Sequence, residues 1–584
     1  MNDIRRTILW VIFGFSMVLL WDKWQVHNGN PATFMPSAPR PAATTSAPAP
    51  AGSLPGAVPA PVPSGNDAVP NPVAGAPAST GATTVVPAAG APGERGALVV
   101  VRTDVMALTF DTQGGSLVRT EFLKHTDTLD RSKPFVLLKE APDGVYVAQS
   151  GLIGSAAGAN YPTHKTIMAF SGARDLQSGE DELVVTFTAP EVGGASLVKT
   201  YTLRRGAYDI AVRHDVTNTG ADPITPQLYL QLVRDGNKPA GESSFYFTFT
   251  GPAVYTEAKK FQKVDFGDIK KKKADYERTA SNGYVAMVQH YFASAWLLPD
   301  GVNRSISMDA VDIGSAVPDC CYRATMIAPM EPIAPGATRS MDATLFVGPQ
   351  LEKVLEALAP GLELVKDYGW LTILAKPLYW LLDKIHSILG NWGWSIMGLV
   401  LLLKIAFYWL NAKAYSSMAK MKAIGPRITD MRARLKDNPQ QMQQEMMKIY
   451  REEKVNPMGG CFPIMVQIPV FIALYWVLLS SVEMRHAPWV MWIQDLSSPD
   501  PFFILPVVMT LTTLLQTALN PAPPDPMQAK LMWFLPLIFS VMFFFFPAGL
   551  VLYWITNNVL SITQQWIINT RMGVPPQFNL PKFR

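Results

Sequence analysis

Five apolar stretches dominate the last third of the chain: Trp392–Leu410, Phe462–Val482, Phe502–Leu519, Leu531–Phe546 and Leu550–Ile568. Each has the length, or nearly the length, needed to cross about 30 Å of hydrocarbon as a helix. Backbone in lipid must satisfy its own hydrogen bonds, so stretches of this kind are expected to pack as a helical bundle. Only Pro547-Ala548-Gly549 separates the last two, which predicts a hairpin. A sixth candidate opens the chain, where Arg5 and Arg6 precede an apolar run from Thr7 to Leu20 closed by Trp21 and Trp24. A cleaved signal peptide and a retained anchor both fit that pattern. The flanking tryptophans, and no small-x-small site directly after the run, favour an anchor over residues 1–24.

A chain of 584 residues exceeds one ordinary domain, and 49 prolines beside 48% hydrophobic residues point to unlike parts. Residues 25–96 are Pro, Ala, Gly, Ser and Thr with almost no charge, and read as a disordered tether. Between 97 and 350 the apolar period becomes two. Leu228, Leu230 and Leu232 alternate with Gln227, Tyr229 and Gln231; Phe245, Phe247 and Phe249 alternate with Tyr246, Thr248 and Thr250. Tyr208, Ile210, Val212 and Val216 face away from Asp209, Arg213 and Asp215. Turns such as Gln113-Gly114-Gly115 and Asn218-Thr219-Gly220 separate these runs, which predicts half-buried antiparallel strands in a large exported β-sandwich. The run Lys270–Lys273 reads as a solvated loop more readily than as a lipid contact. The expected fold class is therefore multi-domain: a polytopic α-helical membrane bundle of six spans plus a large exported antiparallel β-sandwich.

Residues 351–390 read as amphipathic helices, one through Leu351, Val354, Leu355 and Leu358, the next following Pro377. The second carries Leu378, Leu381, Leu382, Ile385, Ile388 and Leu389 opposite Asp383, Lys384, His386 and Ser387, a pattern suited to the membrane surface. The second span occupies 391–411. Residues 412–460 hold Lys413, Lys420, Lys422, Arg427, Arg432, Arg434, Lys436, Lys448, Arg451 and Lys454, so that loop is placed in the cytosol. Asn438 followed by Pro439 and Gln441 predicts a helix N-terminus there, with Met442, Met446 and Ile449 on one face and Met418, Met421 and Ile428 on another helix. The remaining four spans fall within 461–570, and 571–584 forms a short basic tail. An even number of spans puts both termini in the cytosol.

Net charge of +4 gives no case for sequence-specific nucleic-acid binding, and neither a phosphate-binding loop, HExxH nor GxSxG occurs, so no catalytic residue, metal or cofactor is expected. Of the three cysteines, adjacent Cys320 and Cys321 read as free thiols rather than a vicinal disulfide. One residue stands out. Lys404 interrupts the second span, where a lysine at bilayer depth costs about 2.5–3.5 kcal/mol and so faces water, a partner or the bundle interior. Snorkelling is the plain alternative, since Asn411 lies seven positions on. In the last span Tyr553, Asn557, Ser561 and Gln564 form a polar stripe, which Asn558 and Gln565 widen; Gln467 stands two residues before Pro469 in the third span. Interhelical hydrogen bonds would absorb such residues. A wet cavity suits them better, because these spans offer no carboxylate to Lys404.

The segments GNWGWSI, SMAKMK, EKVNPMGGCFPIMVQIPVF, VEMRHAPWVMWIQDLS, DPMQAKLM and FPAGLVLYWITNN resemble the YidC family of membrane protein insertases, bacterial members of the Oxa/Alb group, over about Asp367 to Asn569. The order of anchor, tether, sandwich and amphipathic helix matches the Gram-negative version. The resemblance implies a hydrophilic groove open to cytosol and lipid, with Lys404, Gln467, Tyr553, Trp554, Asn557, Ser561 and Gln564 in it and Ile468 and Pro469 on a substrate slide. It further implies nascent inner-membrane proteins as substrates, with the Sec translocon, the ribosome (through the hairpin or the tail) and the lipid bilayer as partners. The family's usual groove arginine is Lys404 here, its threonine four residues earlier is Val400, and one tyrosine of its usual pair is Trp554. A solute channel or transporter, and an anchored sugar-active enzyme with paired carboxylates in the sandwich, remain the alternative readings.

Overall fold

The computed structural model describes residues 96–571, except 155–159, 240–247, 314, 316, 318–319, 436–437, 454–461 and 521–525, together with residues 573 and 578. The expected anchor, nearly all of the tether, the run Phe245–Phe247 and Lys582 and Arg584 of the tail lie outside the described residues. Two compact units meet in sequence between Val365 and Lys366.

The first unit is a sandwich of two antiparallel sheets, ten-stranded and nine-stranded among the described residues. In the nine-stranded sheet, Asp209–Asn218 lies between Ala195–Arg204 and Thr338–Pro349, pairing Val212 with Tyr201 and Ala343. Its Ile210, Val212 and Val216 are buried and its Arg213 exposed, as the alternation predicts, but Asp209, expected outward, is buried and paired with Arg204. Phe122 from the other sheet stacks on Phe292 at 5.2 Å, and the Trp296 indole donates to Gln231 O at 3.1 Å, so aromatic rings fill the space between the sheets. Pro226–Arg234 is buried throughout rather than half-buried. It is a central strand between Gly144–Gly154 and Tyr322–Pro329, and Tyr229 on its far side is covered by His164, whose Nδ1 lies 2.6 Å from the tyrosine hydroxyl. The expected strand through Phe249 is displaced: Thr248–Thr250 are irregular and the strand runs over Gly251–Thr256. Cys321 is buried among Val118, Val145, Val147 and Val233, with Cys320 packed against the same cluster. The helix Glu352–Leu358 belongs to this unit.

The alternation also places two polar residues where apolar ones would be ordinary. Lys199, in register with inward Leu197 and Tyr201, is fully buried; its ammonium donates to Gly114 O at 2.6 Å and Ser150 O at 2.7 Å. Gly114 and Gly115, at φ 73° and 58°, adopt the left-handed turn that aims Gly114 O at Lys199 and Gly115 O at the Tyr201 hydroxyl. His214 approaches Ser150 Oγ at 3.0 Å. Burial disfavours the charged forms, pushing Lys199 down to about 7 and His164 and His214 down to about 3.

The second unit is helical. Its helices are α1 (Thr372–Leu389), α2 (Trp392–Ala406), α3 (Tyr408–Ala423), α4 (Gly425–Arg434), α5 (Pro439–Glu452), α6 (Phe462–Ser480), α7 (Ile504–Leu519), α8 (Pro526–Met542) and α9 (Ala548–Arg571). α9 packs on α2 and α7, and α1 packs on α2 and α6. Among the described residues no single helix is long and apolar enough to cross a membrane by length and composition; α2 with Tyr408–Ser417 passes only as a pair bent by 65°. The second span breaks at Phe407, α8 contains Pro536, and α9 carries the polar stripe. α1 starts at Thr372, five residues before the Pro377 at which a helix start was expected, and keeps that proline inside it. α4 and α5 form the expected hairpin: Asn438 Oδ1 accepts from the Gln441 N–H, and Ile424, Ile428 and Met431 pack on Ile449 with Met442 and Met446 against them.

The buried bases set a pH dependence. Each holds fewer protons folded than unfolded, so stability rises with pH: across about 3 to 6.5 for the histidines, and from about 7 towards 10.5 for Lys199. The sandwich transition in calorimetry of the purified protein should therefore gain up to about 1.4 kcal/mol per pH unit between pH 7 and 9 from this one group. Lys199→Met should flatten the profile in that window while leaving the acidic limb in place.

Candidate functional site

Lys404 lies in the last turn of α2, where helix carbonyls lack intrahelical partners. The break at Phe407 makes this acute. The Asn411 N–H resumes helical bonding to Phe407 O at 3.0 Å, whereas Lys404 O accepts from Gln564 Nε2 of α9 at 3.1 Å. The Lys404 ammonium turns to the same helix and donates to Ser561 Oγ at 2.7 Å; the residue is only 6% exposed. Ser561 in turn donates to Asn557 O at 2.6 Å. α9 thus meets both the charge and the freed carbonyl of one residue.

A cavity of about 220 Å³ adjoins the lysine, lined by Val400, Leu403, Lys404, Phe407, Gln467, Ile468, Val470, Phe471, Tyr553, Trp554 and Asn557. Six of the sequence-selected residues, Lys404, Gln467, Ile468, Tyr553, Trp554 and Asn557, therefore share one wall. Ser561 and Gln564 stand behind it as hydrogen-bond partners of Lys404, and Pro469 is not among the lining residues. Asn558 and Gln565 do not widen the stripe. A helix turns 100° per residue, so each neighbour of a stripe residue points elsewhere. Asn558 donates to Thr512 Oγ1 at 3.2 Å and Thr513 Oγ1 at 2.9 Å, and Gln565 to Leu519 O at 3.3 Å, which ties α9 to α7.

Asn411 is the residue that sequence reasoning passed over except as an endpoint for snorkelling. Buried, it donates from Nδ2 to Gln564 Oε1 at 3.1 Å and accepts at Oδ1 from Gln467 Nε2 at 3.1 Å. Its signal was present, since seven positions after Lys404 is the same face of an unbroken helix.

A wholly apolar chamber of about 440 Å³ lies between α6, α7, α8 and α9. Phe471 and Trp554 line both spaces and meet edge to face at 4.8 Å, so an aromatic partition separates the polar cavity from the apolar one.

The opposite end of the unit is covered by the loop Val482–Asp500. Ala548 N–H donates to Ser498 O at 2.8 Å and Gly549 N–H to Leu496 O at 2.9 Å, which seats this loop on the first turn of α9. Gly393 at the start of α2 lies flat against the Trp489 ring, where a Cβ would collide with it. The loop also anchors α1. Lys366, fully buried, faces Glu483 at 3.3 Å and lies 3.8 Å above the Tyr379 ring, while the Tyr379 hydroxyl donates to Glu483 Oε1 at 2.5 Å. With Ala375, Tyr379 and Leu382 buried, α1 leaves Ile373 89% and Trp380 60% exposed on its outer side.

Comparison with known proteins also divides the chain in two, with the boundary falling inside α1. Residues 98–381 match the family model for the YidC periplasmic domain, and residues 384–574 match the 60Kd inner membrane protein model. The chain is 54% identical to a membrane protein insertase YidC of Cupriavidus necator over 98% of each chain. It is 51% identical to one of Bordetella pertussis, again over 98% of each. A solved structure described as an active YidC insertase with its first transmembrane domain resolved aligns at 17% identity and a TM-score of 0.35, covering 80% of this chain and 91% of that one.

Removing one member of a buried ion pair costs about 3 kcal/mol or more. Glu483→Gln should therefore raise amide exchange across α1 by roughly a hundredfold in hydrogen-exchange mass spectrometry, at about 1.4 kcal/mol per tenfold. The paired change Lys366→Met with Glu483→Leu should recover most of that protection.

Proposed function

The chain belongs to the YidC family of membrane protein insertases and inserts nascent proteins into the inner membrane; we propose that it does so by lending a charged, hydrated half-path to their polar segments. The observation that carries this reading is Lys404, a cation bonded to the Ser561 hydroxyl beside a cavity that Gln467, Tyr553 and Asn557 also line, inside an apolar bundle. A polar segment crossing hydrocarbon leaves backbone groups unsatisfied at several kcal/mol each. Gln467, Tyr553 and Asn557, with water in the cavity, would supply donors and acceptors along part of that distance. Lys404 would draw acidic side chains of the substrate inward. At 4 Å and the effective dielectric typical of such sites, that attraction is about 4 kcal/mol. Trp554 supplies aromatic bulk beside Tyr553, and Ser561 and Gln564 hold the lysine in place.

The substrate's apolar segment would leave past Ile468, which is half exposed, and Pro469, gaining about 25 cal/mol for each Å² of apolar surface removed from water. In this reading the N-terminal anchor and five C-terminal spans give six crossings, with the broken α2–α3 pair counted as one and both termini in the cytosol. The tether of 25–96 carries the sandwich of 97–350 on the periplasmic side. The α4–α5 hairpin, or the basic tail, would receive the chain from the ribosome, and the protein would work alone or beside the Sec translocon, chaperoning substrates as they fold. The loop Val482–Asp500, seated on α9 and α2, supports a path closed on the periplasmic face, which a solute channel would not tolerate.

In liposomes containing only this protein, Lys404→Arg should insert substrates with acidic translocated segments as the parent does. Lys404→Leu and Lys404→Glu should lose roughly tenfold or more, Glu the more severely. Equal insertion with Leu at position 404 would remove the charge from the mechanism.

A further inference from the structure

The cavity beside Lys404 is too small for its task. Its volume of about 220 Å³ is that of about seven waters at about 30 Å³ each, not of a polypeptide helix about 10 Å across. Lys404 is almost wholly covered as well. Something must therefore open, and the hydrogen bonds beside the break in the second span identify it.

Three side-chain amides run in series across three helices. Gln467 Nε2 of α6 donates to Asn411 Oδ1 of α3, Asn411 Nδ2 donates to Gln564 Oε1 of α9, and Gln564 Nε2 donates to Lys404 O, each at 3.1 Å. All three bonds point the same way, so each polarises the next. The series sits on the α3 side of Lys404, and α3 leads into the Lys- and Arg-rich loop read as cytosolic. A substrate travelling from that loop to the lysine meets these amides first. The 65° bend at Phe407 supplies a hinge, since α3 can swing there with little further loss of helical bonding.

We propose that the Gln467–Asn411–Gln564 series latches the cytosolic mouth of the groove, with Asn411 as the positioning residue that holds the broken span against α6 and α9. The polar segment of an incoming membrane protein opens it by exchange. A backbone amide offers the same donor and acceptor as a side-chain amide, so substrate bonds replace latch bonds at little net cost. The latch thereby admits a chain with unsatisfied amides and stays shut to lipid tails, which have none to offer. This inference rests on the groove reading above and adds the means by which that groove is opened.

The test uses full-length protein in liposomes, its three native cysteines changed to serine and a reporter introduced as Val400→Cys, on the cavity wall. Asn411→Leu keeps the volume but makes neither bond. It should raise the rate of labelling by a membrane-impermeant maleimide from the cytosolic face about tenfold, with no rise from the other face. Gln467→Leu should do the same, and the double variant should add little to either. An unchanged rate in both single variants, a rise from both faces, or full additivity overturns the latch. Insertion by Lys404→Leu, measured in parallel, separates the two ideas. If it is impaired while labelling stays flat, only the latch fails; if it is normal, the groove reading itself fails.

Discussion

An ammonium inside an apolar bundle must be given acceptors, and the helical unit is organised by how that requirement is met at Lys404. The lysine ends a helix, so its carbonyl needs a donor at the same time as its side chain needs an acceptor. α9 supplies both, through Gln564 and Ser561 one turn apart. That double demand fixes the rotation of α9 about its own axis. With Ser561 and Gln564 turned to α2, Asn558 and Gln565 necessarily face α7 and bind there. The aromatic partition of Trp554 against Phe471 follows from the same rotation.

Among the described residues three lysines are buried, each with a different set of partners. Lys366 faces a carboxylate and an aromatic ring, an arrangement that locks α1 to the loop carrying Glu483. Lys199 meets two main-chain carbonyls that no side-chain motion can withdraw, and burial depresses its proton affinity. Lys404 meets one hydroxyl. A hydroxyl is the weakest acceptor of the three and the one most easily outcompeted by a carboxylate, which adds a full charge–charge attraction to the hydrogen bond. In the proposed groove, the lysine left for a substrate to claim is the one the fold has committed least.

Much of this was legible in the sequence. Period-two alternation gave the strand around Ile210 and Val212 correctly, and the spacing of Tyr553, Asn557, Ser561 and Gln564 gave the face of α9 that meets Lys404. Neighbouring Asn558 and Gln565 were misread because polarity alone does not say which of two packed faces a residue serves. The inward His214 was passed over for a related reason: alternation marks the position but not the polar partner, Ser150, that makes a histidine acceptable there. The break at Phe407 was illegible for a different reason. No proline or glycine lies between Leu399 and Gly425 to announce it, and the bend is stabilised by Gln564, more than 150 residues away. Long-range pairs such as Lys366 with Glu483 share the difficulty, because each residue alone reads as a surface charge.

The positions where this chain departs from the pattern it resembles make sense together. A guanidinium presents five donors in a rigid plane and needs a correspondingly polar surround to satisfy them. Here the residue one turn before the cation is Val400, which offers no acceptor, and Trp554 replaces a hydroxyl-bearing ring with an indole that only donates. A pocket without those two hydroxyls can satisfy a compact ammonium more readily than a fork, and here Ser561 accepts from it. The cost is geometric, since an ammonium cannot hold a carboxylate in a fixed bidentate pose. Such a groove trades orientation for tolerance. It should attract any acidic side chain that reaches it without specifying how that side chain lies, a property suited to receiving polar segments of many sequences and releasing each to lipid.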